Sequence, residues 1–298
     1  MQFRPLPLLV ASLLLTTCGQ AVEGAPIDDA LAVYNAGDIA HAVALLTPLA
    51  EADNVVAQDK LTHIYYWGEL GAPDYEKSQR WAVRAALFGD PEAEEDLGVH
   101  YSDGKGVPRN VQIGIGWFAL AAARGDTWAQ VALAGQYLNG DGVPRDEARG
   151  VSYLRRAAGE GEPRAQVALA ALMFAGSEGV ALDVAGARKL TIAAAEQRSG
   201  EAQMMLSQMS GNPAVVVEWV ALAAKDGCRV AKAETRAMFK RMPSVDVQEG
   251  LRLAHEWDDV HPARDPGDHR NLSAGPLCNV FPLPVTIRLG PPINHLVS

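Results

Sequence analysis

The chain has 298 residues and a formal net charge of −10, from 36 acidic and 26 basic residues. The two signs are interspersed and no basic run occurs, which argues against a nucleic acid or an anionic membrane surface as the partner. Strand-forming residues are sparse, alanine is abundant, and glycine and proline recur at regular intervals, so the composition predicts an all-α protein.

The N-terminal 21 residues carry an export pattern. A short positive start at residues 1–4 precedes an apolar stretch of about ten residues and then small residues, which is typical of a secretory signal and too short for a membrane span. Cleavage after Ala21 would release a soluble periplasmic protein. Alternatively, residues 15–18 resemble a bacterial lipobox, in which Cys18 is the lipidated residue and the one attachment to the membrane. Both routes predict an exported protein, either periplasmic or an outer-membrane lipoprotein.

One pattern recurs about every 36 residues from Ala57 to Leu206, and it is most regular over roughly residues 53–200. Each copy has an alanine, a leucine four residues later and, in most copies, a tyrosine four residues after that. The repeat alanines are Ala57, Ala93, Ala129, Ala165 and Ala202, and the leucines are Leu61, Leu97, Leu133, Leu169 and Leu206. A fixed period of roughly 20 to 50 residues is typical of proteins built from stacked repeats.

Each repeat predicts two helices. The alanine, leucine and tyrosine share one face of a first helix, and an aromatic residue with an alanine four residues later shares one face of a second helix. Glycine followed by an acidic residue at 89–90, 125–126 and 161–162 predicts the end of one second helix and the start of the next first helix. The N-caps predicted for the second helices are Asp74, Asn110, Asp146 and Asp183.

The motif of each repeat reads A-x-x-x-L-x-x-x-Y-x-x-G-x-G-V-P, followed by the N-cap, the tryptophan and the alanine pair of the second helix. This motif resembles the Sel-one-like (Sel1) repeat family, relatives of tetratricopeptide repeats. The resemblance implies a right-handed α/α superhelix, an α-solenoid of about six helix pairs, over residues 27–258. Its terminal units are degenerate, as is expected at the ends of a repeat array. Residues 259–298 are predicted to form an irregular, Pro/Gly-rich tail.

The resemblance also implies a function. Such proteins are non-catalytic scaffolds or adaptors that hold a protein or peptide on a concave helical surface, and the export pattern places this one in the cell envelope. Neither a cofactor nor a metal is implied, because His255-Glu256 lacks the second histidine of a zinc motif. Two alternatives remain, a β-lactam- or peptidoglycan-directed hydrolase and a glycan-binding factor. Ser102 and Lys105 satisfy the S-x-x-K spacing of penicillin-recognising enzymes, but no Lys-Thr-Gly follows.

Candidate partner-binding residues lie beside the alanine–leucine–tyrosine face of the first helices. They are His63, Glu95, His100, Gln130 and Gln136. Gln130 also belongs to a set of glutamines that directly follow the repeat alanine. These glutamines are interpreted either as structural hydrogen bonds to the neighbouring repeat or as a row of polar side chains that binds a peptide.

Two cysteines remain once Cys18 is removed or lipidated. Cys228 and Cys278 are predicted to form a disulfide in an exported protein, since that compartment permits disulfides. Cys228 also occupies the slot that aspartate fills in other repeats, so an N-capping thiol is the alternative interpretation.

Overall fold

The computed structural model describes residues 27–177 and 179–261. The predicted signal at 1–21, Cys18, Cys278 and the tail beyond residue 261 lie outside these residues, so export, lipidation and the Cys228–Cys278 disulfide stay predictions. The chain divides into an N-terminal unit that ends at Phe88 and a C-terminal unit that begins at Gly89. None of the helices in the described part of the chain combines the length and the apolar character needed to cross a bilayer.

The described residues form fourteen α-helices and no strand, which confirms the all-α prediction. Helices α1 to α12 form six consecutive pairs, which confirms the expected number, whereas α13 and α14 each pack on α12 rather than on each other. The last helix ends at Val260, two residues beyond the predicted boundary. The helices are α1 (Ile27–Asn35), α2 (Ile39–Glu51), α3 (Val55–Trp67), α4 (Tyr75–Ala86), α5 (Pro91–Asp103), α6 (Val111–Ala123), α7 (Thr127–Asn139), α8 (Glu147–Gly159), α9 (Pro163–Ala175), α10 (Val184–Glu196), α11 (Gly200–Met209), α12 (Pro213–Lys225), α13 (Arg229–Phe239) and α14 (Ser244–Val260).

Side-chain caps begin the helices where the sequence predicts them. Asn110 Oδ1 accepts a hydrogen bond from Ile113 N at 3.2 Å at the start of α6, and Asp183 Oδ1 accepts one from Gly186 N at 2.8 Å at the start of α10. Asp74 and Asp146 cap α4 and α8 in the same way. Each such bond satisfies one of the amides that a helix N-terminus leaves without an intrahelical partner. The four predicted N-caps are therefore confirmed.

Cys228 also occupies a cap position. Its Sγ accepts a hydrogen bond from Ala231 N at 3.4 Å at the start of α13, and the residue is 2% exposed. The Cys228 sulfur therefore caps α13, and because this geometry is compatible with a disulfide, the predicted Cys228–Cys278 pairing stays open.

Small residues let the two helices of a repeat approach closely. In the C-terminal unit α5 packs on α6, and a Cβ added to Gly114 would lie 2.2 Å from Ser102 Oγ and 2.8 Å from the Gly98 carbonyl oxygen. Gly98 in turn lies under the ring of Phe118, which is 3% exposed. The repeat alanines and leucines fill the remaining core, for example Ala129 at 0% and Leu133 at 1% exposure. The periodic face predicted from sequence is therefore the buried face.

The terminal helix α14 is fastened to α12 by packing and by charge. A Cβ on Gly250 would lie 2.4 Å from the Ala214 carbonyl oxygen, so these two helices are also in close contact. Arg198, in the loop before α11, pairs with Asp226 and donates to Asp258 Oδ1 at 3.0 Å, and all three side chains are largely buried. Although burial opposes ionisation, hydrogen bonds from Lys225 and Arg198 lower the pKa of Asp258.

We expect two glycine-to-alanine changes within α6 to act in opposite directions. Gly114→Ala should lower the free energy of unfolding by about 1–2 kcal/mol, because the overpacking cost exceeds the gain in helix propensity. Gly116 is the matched control, since nothing lies within 4 Å of a Cβ added there. Gly116→Ala should raise the free energy of unfolding by about 0.5–1 kcal/mol. Chemical denaturation followed by circular dichroism measures both, and equal effects would contradict the close approach of α5 and α6.

Candidate functional site

His100 is a structural residue. It lies in the last turn of α5 with 0% exposure, and its Nδ1 lies 2.7 Å from the carbonyl oxygen of Lys105 in the following loop. Burial lowers the pKa of His100. A partner cannot reach this side chain directly, so the prediction that His100 contacts a partner is corrected: its imidazole joins the helix to its loop.

Gln130 is also buried, at 0% exposure, and cannot contact a partner in a groove. Two residues in the equivalent position make structural hydrogen bonds: Gln58 Nε2 donates to the Ala50 carbonyl oxygen at 2.9 Å, and Gln203 Nε2 donates to Asp226 Oδ2 at 2.8 Å. Gln58 and Gln166 therefore bond to the preceding repeat, whereas Gln203 bonds within its own repeat and neither amide atom of Gln130 has a hydrogen-bond partner among the described residues. The structural interpretation of the ladder holds for Gln58 and Gln166, and the partner-binding prediction for Gln130 is corrected because its side chain is buried.

The other three candidates are partly exposed. His63 lies on α3 in the N-terminal unit, with its Nε2 3.9 Å from Asp59 Oδ1 one turn earlier and its side chain 16% exposed. Glu95 and Gln136 lie on α5 and α7 in the C-terminal unit and are half-buried. The structure places Glu95 near a group of residues that the repeat pattern brings into line, whereas His63 belongs to the other unit.

A row of side chains crosses the first helices of the C-terminal unit at the second residue of each. The row consists of Glu92 on α5, Trp128 on α7, Arg164 on α9 and Glu201 on α11, each directly before a repeat alanine and each half-buried. With Glu95, they form what we call the first-helix patch. Sequence reasoning selected none of these four row residues as a candidate, although their fixed place before the buried alanine was the signal that could have found them.

The centre of the first-helix patch is a stacked pair. The Arg164 guanidinium carbon lies 3.6 Å from the centroid of the Trp128 ring, which joins α9 to α7. Arg164 Nε is shielded from solvent and has no hydrogen-bond partner among the described residues. Burial lowers the pKa of Arg164, although the charges of Glu162, Glu201 and Glu95 oppose this effect. The ring, rather than a paired carboxylate, is therefore the immediate neighbour of this cation.

Carboxylates surround the stacked pair. Burial raises the pKa of Glu201 to about 7, and the charge of Arg164 only partly opposes the shift. Burial also raises the pKa of Asp126, the N-cap of α7, to about 6, with contributions from Glu92 and Glu162. Both groups therefore give up their protons reluctantly, chiefly because burial disfavours the ionised carboxylate.

The chemistry of the patch suits binding. It offers one aromatic face, one guanidinium and several carboxylates, and its five residues include no serine, cysteine or histidine to act as a nucleophile or as its base. Tryptophan and arginine are the side chains that most often dominate the binding energy of protein interfaces.

The fold and the patch define a repeat scaffold made of paired helices, and the comparisons with known proteins agree. The Sel1 repeat family model matches four consecutive segments, at residues 55–90, 91–126, 129–162 and 163–199. These four segments are therefore Sel1 repeats, which confirms the resemblance inferred from the pattern. Sel1 repeat proteins serve as protein-interaction scaffolds, and the repeat is generally a non-catalytic fold.

Two solved structures share the fold. A Sel1 repeat protein from Oxalobacter formigenes is 24% identical with a TM-score of 0.66, and the match covers 79% of this chain and 98% of that one. A protective antigen from uropathogenic Escherichia coli, which displays the same repeat fold, is 24% identical with a TM-score of 0.54, and the match covers 72% of this chain and 49% of that one. No curated protein matches the chain.

Asp126→Asn should make the protein more stable at neutral pH. Folding raises the pKa of Asp126 from 3.8 to about 6, so its carboxyl contributes fully to stability below about pH 4 and progressively loses that contribution as the pH rises to about 6. Asparagine also caps helices but carries no charge. We expect the variant to gain up to about 3 kcal/mol over the wild type at pH 7 and to show little difference below pH 4.

The matched control is Asp146→Asn, at the half-exposed cap of α8. Urea unfolding across the pH range measures both variants. A difference between Asp126→Asn and the wild type that does not grow between about pH 4 and pH 6 would contradict the reluctance of Asp126 to ionise.

Proposed function

We propose that the protein is a non-catalytic scaffold of the bacterial cell envelope that binds a polypeptide partner on the first-helix patch. The stacked Trp128–Arg164 pair is the observation that carries this proposal. Its ring and guanidinium lie together on a half-buried face, and Arg164 makes no ion pair with a described carboxylate that would have to be broken before a partner binds. A partner would therefore gain aromatic and charged contacts at a small cost in rearrangement.

The layout of the patch favours a polypeptide over a small molecule. Its residues come from four successive first helices, α5, α7, α9 and α11, and one side chain is supplied by each repeat along the row. Stacked repeats create extended surfaces of this kind, which match an extended chain. Nothing in the patch favours a hydrolase or a glycan-binding protein.

The cell envelope is proposed from the N-terminal export pattern, and that compartment would permit the predicted Cys228–Cys278 disulfide. If Cys18 is lipidated, the scaffold is held at the membrane surface by its N-terminus.

Truncating the aromatic face should abolish most partner binding. We expect Trp128→Ala to reduce capture of the partner from an envelope extract at least about tenfold, since an interface tryptophan commonly contributes about 2 kcal/mol or more. Trp67→Ala is the matched control, because Trp67 is 52% exposed and lies in the N-terminal unit. Quantitative mass spectrometry of the captured proteins gives the measurement, and far-UV circular dichroism confirms that both variants fold. Equal losses for the two variants would place the binding surface elsewhere.

Export is tested by cell fractionation and intact-mass analysis. The processed protein should be in the envelope fraction, cleaved either after Ala21 or before Cys18. Cys18→Ala should remove labelling by a fatty-acid probe if the lipobox is used, and unchanged processing would favour cleavage after Ala21. A full-length cytoplasmic species that retains Met1 would disprove the envelope assignment.

A further inference from the structure

We propose, building on the proposed function, that the first-helix patch binds its polypeptide partner through an aspartate or glutamate side chain, whose carboxylate pairs with the guanidinium of Arg164 beside Trp128. Arg164 is the one cation of the row, so it is the residue that would recognise the carboxylate.

The fold leaves Arg164 without an anionic partner. Its side chain makes no hydrogen bond and no ion pair with a described residue, and its Nε is shielded from solvent. A guanidinium always stays charged and offers five N–H donors. A half-buried donor without a partner is costly, because the hydrogen bonds that it made to water are not replaced. A carboxylate from a partner could accept two of these bonds side by side and so compensate the cost.

The helix caps beside the patch do not fill this role. Glu162 begins α9, and its oxygens accept hydrogen bonds from the backbone N of Arg164 at 3.3 Å and from Thr127 Oγ1 at 3.3 Å. Asp126 begins α7 and accepts a hydrogen bond from Ala129 N at 2.6 Å. Both carboxyl groups therefore serve the helices that they cap rather than the guanidinium.

The glutamates of the patch do not fill it either. Glu92 and Glu95 on α5 have interactions of their own. Burial raises the pKa of Glu201 to about 7, so a large fraction of this carboxyl group is protonated at neutral pH. A protonated carboxyl group donates an O–H bond to an incoming carboxylate, whereas an ionised one repels it. Glu201, one helix along the row from Arg164, can therefore assist binding in its protonated form.

The position of Arg164 favours a side chain over a chain terminus as the source of the carboxylate. Arg164 lies on the third of the four first helices that supply the row, with α5 and α7 on one side and α11 on the other. An extended segment that follows the row continues past Arg164 in both directions. Its two ends therefore lie away from the guanidinium, and a side chain has to supply the carboxylate.

The charge of the whole chain limits how acidic the segment is. The net charge of −10 repels an acidic partner at long range. Salt screens this repulsion beyond roughly 8–10 Å, whereas an ion pair forms at contact. We therefore expect one carboxylate among uncharged residues rather than an acidic run.

Affinity should decrease as the pH rises. The raised pKa of Glu201 has two causes, burial and the opposing charge of Arg164, and the charged residues of α10 and α12, the other helices packed on α11, do not contribute to it. A bound carboxylate would raise the pKa of Glu201 further. Binding is therefore favoured below the pKa of about 7 and is progressively lost above it. Asp126, with a pKa of about 6, adds repulsion in the same direction.

Selection from a library of random segments, each displayed as an internal loop of a carrier protein, tests the recognised group on the immobilised protein. The selected segments should share one aspartate or glutamate at a fixed position. In a synthetic copy with both ends capped, changing that residue to asparagine or glutamine should weaken binding at least about tenfold. Fluorescence polarisation at about pH 6 measures the dissociation constants of the acidic copy and the amide copy.

Substitutions in the protein give the matched comparison. Arg164→Gln should weaken binding of the acidic copy at least about tenfold and should no longer distinguish it from the amide copy, since the ion pair is lost in both cases. Arg188→Gln removes the same charge from an exposed position on α10 and should leave binding unchanged. Far-UV circular dichroism checks that both variants fold. If Arg164→Gln does not fold, the comparison of the two peptides on the wild type still decides the outcome.

The pH dependence separates recognition from a purely structural role of Glu201. Binding of the acidic copy to the wild type should weaken about three- to tenfold between about pH 6 and about pH 8.5. The glutamine in Glu201→Gln cannot ionise, so binding to this variant should change little over the same range and should exceed binding to the wild type at about pH 8.5. An unchanged pH dependence in Glu201→Gln would contradict the assistance by Glu201.

The remaining outcomes separate the two proposals. Selected segments that share no carboxylate, and that lose binding on Trp128→Ala, would overturn the carboxylate partner and leave the scaffold function intact. Failure to enrich any segment, or binding that Trp128→Ala does not affect, would overturn the proposed binding surface itself.

Discussion

The buried repeat alanine is the constraint on which the rest of the C-terminal unit depends. Ala93, Ala129, Ala165 and Ala202 are fully buried near the start of their first helices, where any larger side chain would hold neighbouring helices apart. A helix rotates about 100° per residue, so fixing this alanine inward also fixes the direction of the residue before it. The row that carries Trp128 and Arg164 is a direct consequence of packing that has nothing to do with binding.

The same packing has an electrostatic cost. Each first helix begins next to a second-helix end, and its cap needs an oxygen to accept an amide hydrogen bond. In α7 and α9 that oxygen comes from a carboxylate, Asp126 or Glu162, and Glu201 of α11 lies nearby. Capping stabilises each helix locally, while the accumulated burial and repulsion raise the pKa of Asp126. A protein can retain a locally destabilising carboxylate of this kind when the fold as a whole is stable enough to tolerate it.

Much of the fold could be predicted from the sequence because period and caps are local signals. The N-caps at Asn110 and Asp183 need only a few residues of context, and the alternation of helices needs only the 36-residue step. The burial of a single side chain, in contrast, is not a local signal in the sequence. Nothing near His100 in the sequence shows that the Lys105 carbonyl would fold back onto its imidazole, so the residue looked accessible.

Glu95 was the one member of the first-helix patch that the sequence indicated, and the other four were missed for a related reason. The row residue varies between repeats, with glutamate on α5 and α11, tryptophan on α7 and arginine on α9, and a search for periodicity detects shared residues rather than varying ones. The pairing of Arg164 with Trp128 requires two repeats to be stacked in register. In a repeat protein, the positions that vary between repeats are the ones that make its surface specific.

The way the C-terminal unit ends has a consequence for assembly. A stack of identical repeats presents an unsatisfied face at its end, to which another copy could add. Here Gly250 and Ala254 turn inward against the preceding helices, while on the same helix Arg252 bonds to Glu249 at 2.7 Å and also to Glu256, both exposed. The ion pairs of Arg198 hold this helix in place. The outer side of the final described helix is therefore mixed, because its ion pairs disfavour the stacking of a further repeat while Val245, Leu251 and Val260 are exposed beside them.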